Sequence, residues 1–179
     1  MCIRDSNTAT GIGGGIANTS NGGGNITLIN TTVSNNKSVS SGGGIGNTNS
    51  NGTIINLTNS TVSGNRTTNA NQDGGGIYNS GTTNIQSSTV TGNTATGSGG
   101  GIYSTGTLNI FRSAVTSNSS QSTSNNNGGG GIYNGSAGNI ANSTIASNTA
   151  NRDGGGIYNR SGGNSVSYTH LTLPTILRV

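Results

Sequence analysis

The chain has 179 residues, of which 34 are glycine and 6% are charged, with one Cys, one His and a formal net charge of +4. Its few cations are scattered, which excludes the clustered basic face of a nucleic-acid binder, and no Gly-Lys-Ser or Gly-Lys-Thr follows a glycine run, which excludes a phosphate loop. Leu, Ile, Val and Phe together fall below about a fifth of the chain, a level associated with disorder, but that state also calls for high net charge, so the order of the residues decides.

The two ends come first in chain order. Met1-Cys2-Ile3-Arg4-Asp5-Ser6 is encoded by ATGTGTATAAGAGACAG. The reverse complement of that string, read from its third base, gives Val-Ser-Tyr-Thr-His, which is Val166 to His170. The element resembles the transposase adapter used in sequencing libraries, whose continuation matches Leu171 to Thr175. Residues 1–6 and 165–179 are therefore expected to be adapter-derived and foreign to residues 7–164, and they are set aside from fold reasoning. Met1, Cys2, His170 and Pro174, each the sole residue of its type, leave with them. Cys2 then carries no information on redox compartment, and His170 is no catalytic candidate. The chain is expected to be truncated at both ends.

Between the ends, Gly-Gly-Gly-Ile recurs with its Ile at Ile16, Ile45, Ile77, Ile102, Ile132 and Ile157, at intervals of 29, 32, 25, 30 and 25 residues. After each of the first five copies come an apolar residue, two others and Asn: Val33 and Asn36, Val62 and Asn65, Val90 and Asn93, Val115 and Asn118, Ile145 and Asn148. Five residues before each Val or Ile stand Leu28, Leu57, Ile85, Ile110 and Ile140, and two earlier the weaker series Ile26, Ile55, Thr83, Leu108 and Gly138. The step from the first Ile to the Val or Ile is 17 residues in the first two copies and 13 in the next three. Other length variation falls after the Asn, as in 66–72 and 119–127. Fixed spacing marks strands and variable spacing marks loops.

Each copy thus holds three short apolar segments. Their alternation has period two, as in Thr107-Leu108-Asn109-Ile110, which predicts strands. One copy of ~25 residues, with three or four apolar side chains, cannot offset a backbone entropy cost of roughly 1–2 kcal/mol per residue. Stacked copies can, if each strand pairs in parallel with its equivalent about 4.8 Å away and like side chains form continuous columns. The glycines suit corners with positive φ and close backbone approach. The Asn after the third strand suits a left-handed corner and a hydrogen-bonded ladder. The expected fold is all-β: a right-handed parallel β-helix (β-solenoid) of about six coils.

Chemistry is sparse. Within 7–164 the acids are Asp73 and Asp153, three copies apart. Stacking would separate them by roughly 14 Å, beyond the ~6.5–9.5 Å of an inverting carboxylate pair. Four of six copies lack the Asp, against a calcium roll, which needs several carboxylates. Repeats of unequal length argue against the flat lattice of an ice-binding face. No catalytic residue, metal or cofactor is expected. The candidate binding feature is a column of Tyr78, Tyr103, Tyr133 and Tyr158, each following an inward Ile and so directed outward. It reads either as a glycan- or partner-binding strip or as a cross-strand ladder that stiffens one face.

Gly74-Gly75-Gly76-Ile77-Tyr78-Asn79 followed by Ser88-Thr89-Val90-Thr91-Gly92-Asn93 resembles the repeats of bacterial parallel β-helix proteins. It is similar to the polymorphic outer-membrane protein repeats, with Gly in place of their Ala and Val or Ile in place of their Phe. The resemblance implies a pectate-lyase-like superhelix, export, and a structural or adhesive role, without catalysis, outside the cell or at the bacterial surface, the outer membrane included. It leaves as alternatives a carbohydrate-binding module using the Tyr column and the remnant of a polysaccharide-degrading enzyme. The expected partners are glycans or a host or neighbouring cell surface, with no nucleic acid and no direct membrane insertion.

Overall fold

Four strands, not three, make one coil. The structure, a computed structural model, describes residues 2–19, 24–124, 127–160 and 166–167. In the third coil the strands are Ile77–Asn79, Thr82–Gln86, Thr89–Thr91 and Thr94–Ala95. Each pairs only with its equivalents in adjacent coils, always in parallel, giving four six-stranded sheets. They are named here, in coil order, the isoleucine, leucine, valine and polar sheets. Among the described residues there is no helix.

The inward columns form as the spacing dictates. Ile16, Ile45, Ile77, Ile102, Ile132 and Ile157 stand in unbroken register. So do Val33, Val62, Val90, Val115 and Ile145, and Leu28, Leu57, Ile85, Ile110 and Ile140. These residues make one buried cluster, with Ile16, Ile26, Leu28 and Ile157 partly covered at its ends. Insertions after the polar strand do not shift the register, because they leave the stack as loops.

The polar sheet was not legible as a strand because its inward residues are small: Ser38, Thr67, Ala95 and Ser120 are buried there. They let the coil close tightly where the glycine triplets follow. The first glycine of each triplet has positive φ, from +61 to +74°. The second lies against backbone: a Cβ on Gly100 would sit 2.4 Å from the Gly130 oxygen.

The asparagine ladder is present, and its geometry corrects one expectation. The left-handed residue at this corner is the one before each ladder Asn: Asn35, Gly64, Gly92, Ser117 and Ser147, with φ of 54 to 64°. That turn frees the following Asn to point inward. The Asn65 Oδ1 accepts the backbone N–H and the side-chain amide of Asn36, and its Nδ2 donates to Asn93 Oδ1 and to the Val33 carbonyl, all at 2.9 Å. All four hydrogen-bonding capacities of the amide are used, which lets it be buried without cost. The same bonds run from Asn93 to Asn118 and on to Asn148.

A second ladder, of serines, joins the leucine and valine sheets. The Oγ of Ser60, Ser88, Ser113 and Ser143 each accepts a backbone N–H from the preceding coil at 3.0–3.1 Å. Each donates to the carbonyl two residues back at 2.7–2.8 Å.

Candidate functional site

The tyrosine column is real, and it is largely self-paired. Tyr78, Tyr103, Tyr133 and Tyr158 share one register position, on the side of the isoleucine sheet away from the apolar cluster. The fixed ~4.8 Å rung spacing brings the rings face to face. Centroids lie 5.2, 4.4 and 5.4 Å apart, with planes within 24° of parallel. Tyr103 and Tyr133 therefore have both faces occupied, and Tyr133 is only 3% exposed. A ligand approaching the middle of the column meets ring edges.

Asp73 borders this column. Its carboxylate accepts the Ser98 backbone N–H at 2.7 Å. Burial raises its pKa from 3.8 to about 6, opposed by that hydrogen bond. Burial also pushes the Tyr103 hydroxyl well above its ordinary value, helped by the Asp73 charge and the flanking tyrosines. Asp153 stands in the same column as Asp73 but three rungs on, past Ser98 and Gly128, as the bonds Gly74 N to Ser98 O, Gly99 N to Gly128 O and Gly129 N to Asp153 O show. The two carboxylates are thus roughly 14 Å apart and cannot act on one bond.

A third surface was missed by sequence reasoning. The outer face of the leucine sheet forms an open groove of about 540 Å³. One column along it is Thr27, Asn56, Asn84, Asn109 and Asn139; the next is Ile29, Thr58, Gln86, Phe111 and Ala141. The amides are chained, Asn109 Nδ2 to Asn84 Oδ1 and Asn84 Nδ2 to Asn56 Oδ1, each at 2.9 Å. Phe111 is 39% exposed and carries the Arg112 guanidinium 4.8 Å from its ring centroid. The signal was available in the alternation: these residues are the outward partners of Leu57, Ile85, Ile110 and Ile140.

Among the described residues no helix is long and apolar enough to cross a membrane. No curated protein and no solved structure matches the chain. The model of the Chlamydia polymorphic membrane protein repeat matches residues 87–105 and 142–160. Both segments begin at a left-handed corner residue, Ser87 or Asn142. Both then run through the serine ladder, the valine strand, the ladder Asn and the glycine triplet to the Ile-Tyr pair. The matched unit is thus a defined part of the coil, taken in the same register two coils apart. The chain is a parallel β-helix repeat protein, two segments of which resemble the Chlamydia polymorphic membrane protein repeat.

Proposed function

We propose that this segment is a structural, non-catalytic rod that displays binding surfaces on the outside of a bacterial cell, as part of a secreted or outer-membrane protein. The observation that carries it is the unbroken register of apolar, Asn and Ser columns through successive coils. Every coil is held by its neighbours on the same pattern, and stability in such a solenoid grows by addition of coils. Side-chain amides and hydroxyls do much of the work of holding the coils, and the described residues carry little charge. A rod of this kind spaces whatever it displays away from its anchor. The resemblance of two segments to a membrane-protein repeat supports the location, and the outward tyrosine and amide columns are the surfaces offered for adhesion.

We also read residues 1–6 and 165–179 as foreign to the rod. Cys2–Asp5 pairs as the edge strand of the valine sheet, and what supports this reading there is residue type: Arg4 takes the register position that otherwise holds Val or Ile. Ladder character resumes at Asn7, whose backbone N–H donates to Asn36 Oδ1 at 2.9 Å.

Antibodies raised against the coils should label intact cells that express the parent gene, and protease added outside those cells should remove the epitope. Labelling that needs permeabilised cells would refute surface display.

A further inference from the structure

We infer that the outer face of the leucine sheet binds an extended, neutral polysaccharide running along the solenoid axis, about one sugar per coil. The inference adds a ligand to the display role without depending on it, since the rod can reach the surface and bind nothing.

Three independent features converge on that face. The first is chemical. Asn84 gives one amide hydrogen to Asn56 and takes one from Asn109, so one N–H and one acceptor lone pair remain for an occupant. A column of such amides offers a donor and an acceptor at each rung, which is what vicinal hydroxyls require. The second is apolar. Among the described residues the exposed large hydrophobic side chains are Ile29, 60% exposed, and Phe111, 39% exposed, and both fall in the column beside the amides. The two columns lie two residues apart along the strands, roughly 7 Å. A pyranose is itself two-sided, with a C–H face and a hydroxyl rim, and can lay the first on Phe111 or Ile29 while the second meets the amides. The third is geometric. The rungs repeat at about 4.8 Å, close to the length of one hexose in an extended chain, so successive sugars keep pace with the repeating amides Asn56, Asn84, Asn109 and Asn139.

Charge selects among glycans. None of the residues lining the groove is ionisable. An acidic polysaccharide would lose hydration along the amide column and meet one counter-charge, the Arg112 guanidinium at Phe111, so a face uncharged at its other rungs favours neutral chains. The tyrosine column, with its central ring faces already stacked, lacks this combination.

The test is titration calorimetry of the full chain with hexamers of β-1,4-linked glucose, β-1,4-linked N-acetylglucosamine and α-1,4-linked glucose, and with a galacturonate hexamer as the acidic counter-probe. At least one neutral hexamer should bind, with affinity rising from the dimer and levelling at about five units, the number of coils that line the groove. Phe111→Ala should weaken binding about five- to tenfold and Asn84→Ala comparably, with the circular dichroism sheet signal retained in both, although Asn84→Ala also removes two amide bonds between coils and should lower its melt. The length dependence needs no variant and stands even if one fails to fold. No heat from any neutral hexamer at millimolar concentration would overturn the assignment. So would equal binding of galacturonate, affinity independent of length, or binding indifferent to both substitutions. Surface labelling of cells is unaffected by any of these results.

Discussion

Ser104→Asn should stabilise the protein, although it enlarges a fully buried residue. Asn18, Asn47, Asn79, Ser104, Asn134 and Asn159 share one register position at the end of the isoleucine strands. Two of the adjacent Asn pairs bond: Asn47 Nδ2 donates to Asn79 Oδ1 at 2.6 Å, and Asn134 Nδ2 to Asn159 Oδ1 at 2.8 Å. Ser104 interrupts the series. Its hydroxyl has one hydrogen and gives it to the Gly106 carbonyl at 3.0 Å, so nothing reaches the Asn134 Oδ1, which is buried without a partner. An orphaned buried acceptor costs about 1–3 kcal/mol. Asn at 104 has two hydrogens. One can serve Gly106 O, as Asn134 serves Ser136 O at 2.7 Å, and the other can reach Asn134. Allowing for side-chain ordering, the net gain should be about 1 kcal/mol, which for a chain of this size raises the melting temperature by about 2–4 °C. Ser104→Ala is the matched control. It leaves Asn134 as it is and strands the Gly106 carbonyl, so it should lower the melt. Thermal unfolding followed by circular dichroism decides. A lower melting temperature for Ser104→Asn than for the parent would show that the orphan is not what limits this position.

Ile102→Asp should cost more than about 4 kcal/mol, since an unpaired carboxylate would enter a dry column; limited proteolysis should then cut the coils on either side, and unchanged resistance would contradict the inward assignment. Gly100→Ala should be destabilising by several kcal/mol for a different reason, because its Cβ would meet backbone atoms at 2.4 Å from two directions and backbone cannot rotate away; a melt within 2 °C of the parent, on the order of 1 kcal/mol or less, would refute that contact. Asp73 should make stability pH-dependent. Its pKa is raised on folding from 3.8 to about 6, so the folded state holds the proton more tightly, and the stabilisation present below pH 4 is lost as pH rises through 6. The full span is about 3 kcal/mol. Asp73→Asn should flatten the melting temperature between pH 4 and 7, and a melt of the parent that instead rises over that interval would reverse the sign of the argument.

The apolar columns were readable because each inward position is an aliphatic residue at a fixed distance from a glycine triplet. Register then followed from spacing alone, including across insertions of different length. The fourth sheet was not readable, since Lys37-Ser38, Arg66-Thr67 and Ser119-Ser120 carry no hydrophobic alternation; they pair because the strands on either side already hold them in place. The ladder asparagines were found by position, but the left-handed turn was placed one residue late. Nothing in a local string distinguishes an Asn that bends the chain from an Asn that follows the bend. The tyrosine column was found for the same reason as the isoleucines beside it. That its central rings close on one another depends on side-chain rotamers in adjacent coils, which spacing does not report. The groove escaped because Asn56, Asn84 and Asn109 look like background in a chain so rich in asparagine. They become a feature only when set against the inward Leu57, Ile85 and Ile110 between which they project.

The same rule that stacks isoleucine on isoleucine stacks every outward residue on its counterpart, so this fold turns a repeat in sequence into a row on the surface. A globular protein assembles a site from distant segments and gets one copy of it. A solenoid gets a row whose length is the number of coils in register and whose pitch is fixed by backbone hydrogen bonds. A small contact at one rung, worth little alone, recurs at the next, and a ligand with a similar repeat engages them together with the translational cost met once. Selection on such a surface acts on columns, and a single change is felt locally: Ser104 orphans one amide, and Phe111 gives one rung an aromatic between Gln86 and Ala141. It also explains why length variation is tolerated after the polar strand, where a loop leaves the stack, but is absent within the strands Ile54–Thr58, Thr82–Gln86 and Leu108–Phe111. An insertion there would shift the amide column against the apolar one and break the row for every ligand that spans it.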